Sequence, residues 1–206
     1  MKALASLIGE HHLIARLVGA LETYAQRLKE ELPVDSKDLA AFARVFTELA
    51  DDIHHEKEES ILLPLLSRHG FDWNAGVLAA VRAEHQQERY LIDVLSHVGE
   101  RPTAWSNEDR RHVAATATAL VDFQRHHHHL ENTELFPEVA ARLGDGALAQ
   151  LQAELEAFDR GAVQQLTRAR LEAIAGDLIE RYPPASSSAQ RLSLLPHPPL
   201  TRHRRG

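Results

Sequence analysis

The chain has 206 residues, a net charge of −7, 44% apolar but only 5% aromatic side chains, and no cysteine. That length can bury a real core as one domain or one domain plus a tail, and a composition rich in Ala, Leu, Glu, Gln and Arg favours helices, so the expected fold class is all-α. Without cysteine there are no disulfides, thiolate metal sites or cysteine nucleophiles, and any metal must bind through nitrogen and oxygen.

Charge is unevenly spread. The last 26 residues hold Arg181, Arg191, Arg202, Arg204 and Arg205 and no acid, leaving residues 1–180 with 18 basic against 30 acidic side chains. Such a body disfavours nucleic acid and draws in cations. The opening MKALASLIGEHH has too short an apolar run for a signal peptide, and no stretch is expected to reach membrane-spanning length. The expectation is a cytoplasmic protein, monomeric or homodimeric, with no membrane or nucleic-acid partner.

In chain order, residues 2–31 predict a first helix with Leu4, Leu7, Ile8, Ile14, Leu17, Val18, Leu21 and Leu28 on one stripe, stopped by Pro33. His11 lies on that stripe; His12 lies off it. A second helix starts with Asp35 or Ser36 as N-cap and runs to Arg68, before His69-Gly70. Within it His54 with Glu58 competes with His55 and Glu59; the turns before His54 carry Ala50 and Phe46, which favours His54 with Glu58 and leaves His55, Glu56 and Glu59 as solvated or supporting groups. Pro64 should loosen the last turn.

The third helix is expected from Trp73 or Asn74 to His97, with His85 on the stripe of Leu78, Val81 and Leu95. The fourth opens on an approximate capping box, Ser106 with Asp109, and runs to Leu143. Its four consecutive His, 126–129, span more than one turn, so they cannot all face a core, and only His127 has a carboxylate four residues on. A fifth helix over 147–181, interrupted at Gly161, carries no ligand pattern. The segment from Pro183 holds five of the nine prolines and is expected to be disordered. The organisation expected is therefore a bundle over 1–145, a helix over 146–182 packed on it or at a dimer contact, and a tail over 183–206.

The informative feature is a repeat. HHEKEESILLP at 54–64 and HHHLENTELFP at 127–137 share His, Glu four residues later and Pro six after that, with a shift of 73. Residues four apart sit one above the other on a helix, so imidazole and carboxylate can converge on one point. Upstream, Glu10-His11 and Glu84-His85 repeat with a shift of 74. Two helical hairpins packed antiparallel would bring His11, His54, Glu58, His85, His127 and Glu131 into one bundle core, the way bundles build dinuclear sites.

This four-part pattern, covering residues 4–142, resembles the hemerythrin-like (HHE cation-binding) family. The resemblance implies an up-down-up-down antiparallel four-helix bundle around a non-haem di-iron centre, oxo- or hydroxo-bridged, that binds or reacts with dioxygen, peroxide or nitric oxide. The oxygen carriers of that family use five His, whereas four align here, which would leave one ion more open and favour reactivity over carriage. The chain also resembles the bundle of iron-sulfur-cluster repair proteins, which carry a cysteine-containing N-terminal domain that this sequence lacks, so that reading ranks lower. The donor set itself suits iron, with manganese or zinc less favoured. The competing readings are an oxygen- or iron-sensing module without turnover and a helical scaffold that binds metal incidentally.

Overall fold

The structure is a computed structural model that describes residues 2–102 and 104–185, apart from the side chains of 162–164. All regular structure among the described residues is helical. After one tight turn at Lys2–Leu4, α1 spans Ala5–Lys29. Asp35 caps α2 (Ser36–Val45), its carboxylate accepting the Lys37 backbone N–H. Helix continues through wider, π-type winding at Phe46–His55 and Glu58–Leu62 into α3 (Leu63–Arg68). Next comes α4 (Gly76–Gly99), which starts later than expected because Asp72 accepts the Asn74 N–H in a turn and Gly76 takes a positive φ of 63°. The capping box of Ser106 and Asp109 opens α5 (Asn107–Leu130), followed by a π turn at Glu131–Leu135 and α6 (Phe136–Arg142). The C-terminal region forms two helices, α7 (Asp145–Asp159) and α8 (Ala162–Arg181), meeting at Gly161.

The π turns at Glu58–Leu62 and Glu131–Leu135 are structural repeats of each other, and the prolines explain them. A proline lacks N–H and collides with the carbonyl four residues back. Just before Pro64, the Leu63 N–H reaches five residues back to the Glu58 carbonyl; just before Pro137, Phe136 does the same to Glu131. Pro64 was expected to loosen its turn, and this is the form the loosening takes. Such single π turns recur at functional sites.

Helix α1 packs along α5, and α4 lies against both α5 and α2. Two apolar clusters result. One gathers Leu4, Leu7, Leu62, Leu66, Leu78, Val81, Leu135 and Val139; the other gathers Ile14, Leu21, Phe42, Leu49, Ile92, Leu95, Val113 and Leu120. Between them in all four chain segments lie buried polar residues: Glu10 and His11; His54, His55, Lys57 and Glu58; His85 and Glu88; and Gln124, His127, His128 and Glu131. A polar layer is thus held between two apolar ones.

The C-terminal helices share this core. Leu151 and Leu155 join the first cluster, while Leu171, Ala175 and Leu178 join the second. Buried Tyr182 donates its hydroxyl to Asp38 at 2.6 Å, Thr23 donates to the Pro183 carbonyl at 2.9 Å, and a Cβ on Gly19 would meet Pro184 at 2.9 Å. The expected disordered tail therefore does not begin at Pro183, which is docked on α1; residues 186–206 lie outside the described residues. A second correction concerns α1. By length and composition Lys2–Lys29 could cross a membrane, contrary to expectation, but most of that stretch is buried inside the protein.

Candidate metal centre

His11, His54, Glu58, His85, His127 and Glu131 are all buried in the polar layer, contributed by α1, the π-wound stretch after α2, α4 and the end of α5. The structure adds two residues that the sequence reading set aside. His55, read as solvated or supporting, and His128, passed over because no carboxylate lies four residues on, are buried in the same layer. His126 and His129 are exposed.

Six imidazoles sort into two groups of three. His11, His54 and His128 bring ring nitrogens within 4.8 Å of one another, and so do His55, His85 and His127. The groups are related by the repeat. His11 stacks on His128 with centroids 4.2 Å apart, and its counterpart His85 stacks on His55 at 3.9 Å. The adjacent pairs straddle the layer: His54 joins the first group and His55 the second, while His127 joins the second and His128 the first.

Two carboxylates lie between the groups. Glu58 Oε1 is 3.7 Å from His54 Nε2 and its Oε2 is 3.3 Å from His85 Nε2. Glu131 Oε2 is 3.1 Å from His11 Nε2 and its Oε1 is 3.3 Å from His127 Nε2. Each thus turns one oxygen toward each group, and together they complete one four-donor set with His11 and His54 and another with His85 and His127.

Sequence reasoning treated the helix as a single stripe of 3.6-residue period facing one point. A layer with two donor groups offers two points, so neighbours about 100° apart can both be useful, one per point. The signal was present. The repeat aligns His54-His55 with His127-His128 as pairs, not only His54 with His127. With six imidazoles gathered instead of four, the expectation that one ion would be short of a neutral donor no longer holds.

The Nδ1 atoms are held from behind. His54 donates Nδ1–H to Glu10 Oε2 at 3.0 Å, and His127 donates to Glu84 Oε2 at 2.9 Å, again as repeat partners. His85 donates to Glu59 Oε1 at 2.7 Å. A carboxylate can only accept, so each bond fixes Nδ1 as a protonated nitrogen and turns Nε2 into the layer. Behind Glu10 stands buried Lys57, whose ammonium donates to Glu10 Oε1 at 2.5 Å, to Ser6 at 2.8 Å and to Asp159 at 3.0 Å; Arg168 donates to Glu10 at 2.7 Å. Asp159 ends α7 and Arg168 lies in α8, so the C-terminal helices, read from sequence as bland, reach the residue that orients His54.

Burial, reinforced by the surrounding His, holds His54, His55 and His128 well below the ordinary histidine value, hence neutral. His85 moves the other way: burial opposes its charge, but Glu58 and Glu59 outweigh it and raise it to about 10. Burial and the facing Glu131 push Glu58 up to about 7, while Glu131, against its own burial, is held low by His127 and His11. The two carboxylates share their charge as a pair.

A bound cation group fits these residues. Nε2 of His55, His85, His127 and His128 and both oxygens of Glu58 and Glu131 are buried with no hydrogen-bond partner among the described residues. Leaving so many buried polar atoms unpaired costs about 1–3 kcal/mol each. Each can offer a lone pair once free of a proton, and all lie in the same layer.

A family model described as the hemerythrin HHE cation binding domain matches residues 2–107 and, again, 76–195. Among curated proteins the chain is similar to the iron-sulfur cluster repair protein YtfE of Cronobacter sakazakii, with 27% identity over 126 residues, covering 58% of this chain and 54% of that one. It thus spans about half the length of that relative. No solved structure matches. The two overlapping family matches run through both copies of the His and Glu repeat, and the chain belongs to the hemerythrin HHE cation-binding domain family.

Proposed function

We propose that the chain is a non-haem di-iron protein. One ion would be held by His11, His54 and His128, the other by His55, His85 and His127, with Glu58 and Glu131 shared between them. The observation that carries this reading is the pairing of two three-imidazole groups across two carboxylates whose four oxygens are all unpartnered. Nitrogen and oxygen donors without thiolate suit iron, with manganese or zinc less favoured. The order in which each chain segment meets the two apolar clusters, alternating from one segment to the next, supports an up-down-up-down four-helix bundle over residues 1–145 with α7 and α8 packed against it.

Iron supplies one-electron redox chemistry at any position the protein leaves open. Six His and two shared carboxylates would fill about ten of about twelve positions on two six-coordinate ions. The remainder suits a small ligand: dioxygen, peroxide or nitric oxide. The protein's part is to fix the ion separation through Glu58 and Glu131, to orient His54, His85 and His127 through Glu10, Glu59 and Glu84, and to exclude water with the two apolar clusters. The similarity to a relative named for iron-sulfur cluster repair supports a role in oxidative or nitrosative stress. A sensing module without turnover is the second reading, favoured by the contact of Asp159 and Arg168 with the Lys57 and Glu10 network, which ties the C-terminal helices to His54. Peroxide and nitric oxide consumption by the iron-loaded protein separates the two; a spectrum that changes on ligand addition without turnover supports sensing.

A further inference from the structure

The repeat makes the two halves of the centre nearly alike, so the places where they differ are informative. Glu88 stands three residues after His85, where the other half, three after His11, has buried Ile14. Glu88 is fully buried. Its Oε1 accepts from the Gln124 amide, which fixes the carboxylate, and its Oε2 has no hydrogen-bond partner and lies 3.5 Å from His55 Nε2, itself unpartnered.

The groups behind the imidazoles differ in the same direction. Around His55, His85 and His127 stand Asp51, Glu59 and Glu84, with Arg89 as counter-charge between Asp51 and Glu59. In the other half, the position matching Glu59 is neutral Asn132, whose amide lies 3.3 Å from His11 Nδ1, and the anion behind His54, Glu10, is met by both Lys57 and Arg168. One half is anionic and the other is close to balanced.

We propose that Glu88 is a terminal carboxylate donor to the ion held by His55, His85 and His127, so that this half binds a divalent cation first and more tightly. This rests on the dinuclear reading above. Three imidazoles, two bridging carboxylates and Glu88 give that ion about six donors, whereas its neighbour has about five. The open position, and with it the small ligand, therefore falls to the ion of His11, His54 and His128.

The test is titration of the metal-free full chain with Mn2+, free ion being counted by its electron paramagnetic resonance signal, with Glu88→Gln beside wild type. Wild type should take up two equivalents in two resolved steps. Glu88→Gln should weaken the first step by about tenfold to a hundredfold and leave the second in place. It should fold at least as well without metal, because an amide replaces an unpaired buried carboxylate; a thermal midpoint equal to or above wild type confirms that the loss is one of binding. His85→Ala should abolish the step that depends on Glu88, while His11→Ala should spare it. Two steps that Glu88→Gln leaves unchanged, or weakens alike, overturn the role of Glu88 while keeping the dinuclear reading. Uptake of fewer than two equivalents by wild type overturns both.

Discussion

His128 stacks on His11 with ring centroids 4.2 Å apart and planes inclined by 21°. That contact places a residue from the end of α5 in the same donor group as one from α1 and as His54. Replacing His128 with Ala should remove roughly half of the bound metal, as should replacing His54, because each strips one ion of a donor while the other keeps its three. His129→Ala, on the exposed side of the same run, should retain full metal. Metal analysis of the three variants decides it, and an unaffected His128→Ala would refute the grouping.

Glu59 tests the support behind the ligands. Its Oε1 takes both the His85 Nδ1 proton at 2.7 Å and the Arg89 guanidinium at 2.8 Å, and these contacts hold its carboxyl down to about 2. Glu59→Gln should weaken metal binding by about tenfold to a hundredfold by loosening the His85 orientation and lowering its basicity. Binding isotherms identical to wild type would show that His85 is positioned by packing alone.

Most of the candidate site was legible from the sequence because it is written as a repeat. The His and Glu spacing at 54–64 and 127–137, with Glu-His at 10–11 and 84–85, leads to six buried residues in one layer. His55 and His128 were harder to read because a single helical stripe admits only one of two neighbours, whereas a layer with two foci uses both. Lys57 was unreadable for a different reason. A lysine between two glutamates on a helix looks solvated, and only the arrival of α7 and α8 from more than 100 residues away buries it against Glu10 and Asp159. The helix ends that carry explicit chemistry, Asp35 and the Ser106–Asp109 box, were readable in advance.

Lys57 leads to a stability prediction. Lys57→Met leaves Glu10 buried with only Arg168 as a cationic partner, and removing one member of a buried pair typically costs about 3–5 kcal/mol. Arg168 should keep the loss near the lower end. Denaturant unfolding of the metal-free protein measures it, and a change under about 1 kcal/mol would mean that the network is as weak as a surface pair.

His85 makes binding and folding respond to pH in opposite ways. Its pKa is raised from 6.5 to about 10, so it carries a proton in the metal-free fold at neutral pH. A metal needs the bare Nε2, so binding releases that proton and affinity should rise with pH up to about 10. The same shift contributes folding stability that is fully present below 6.5 and lost as pH rises through about 10. Titration calorimetry at about pH 8 in two buffers of different ionisation enthalpy should show proton release on binding. Heats independent of buffer would contradict it.

The central claim is that the buried layer is a dinuclear centre. Its most direct test is the metal content of protein purified without an affinity tag, measured by elemental analysis together with the thermal midpoint before and after chelation. Two metal ions per chain, mainly iron, with a lower midpoint once they are removed, is the predicted result, since binding to the folded state alone stabilises it by mass action. A chain that carries no metal, or a single ion whose removal leaves the midpoint unchanged, would contradict it.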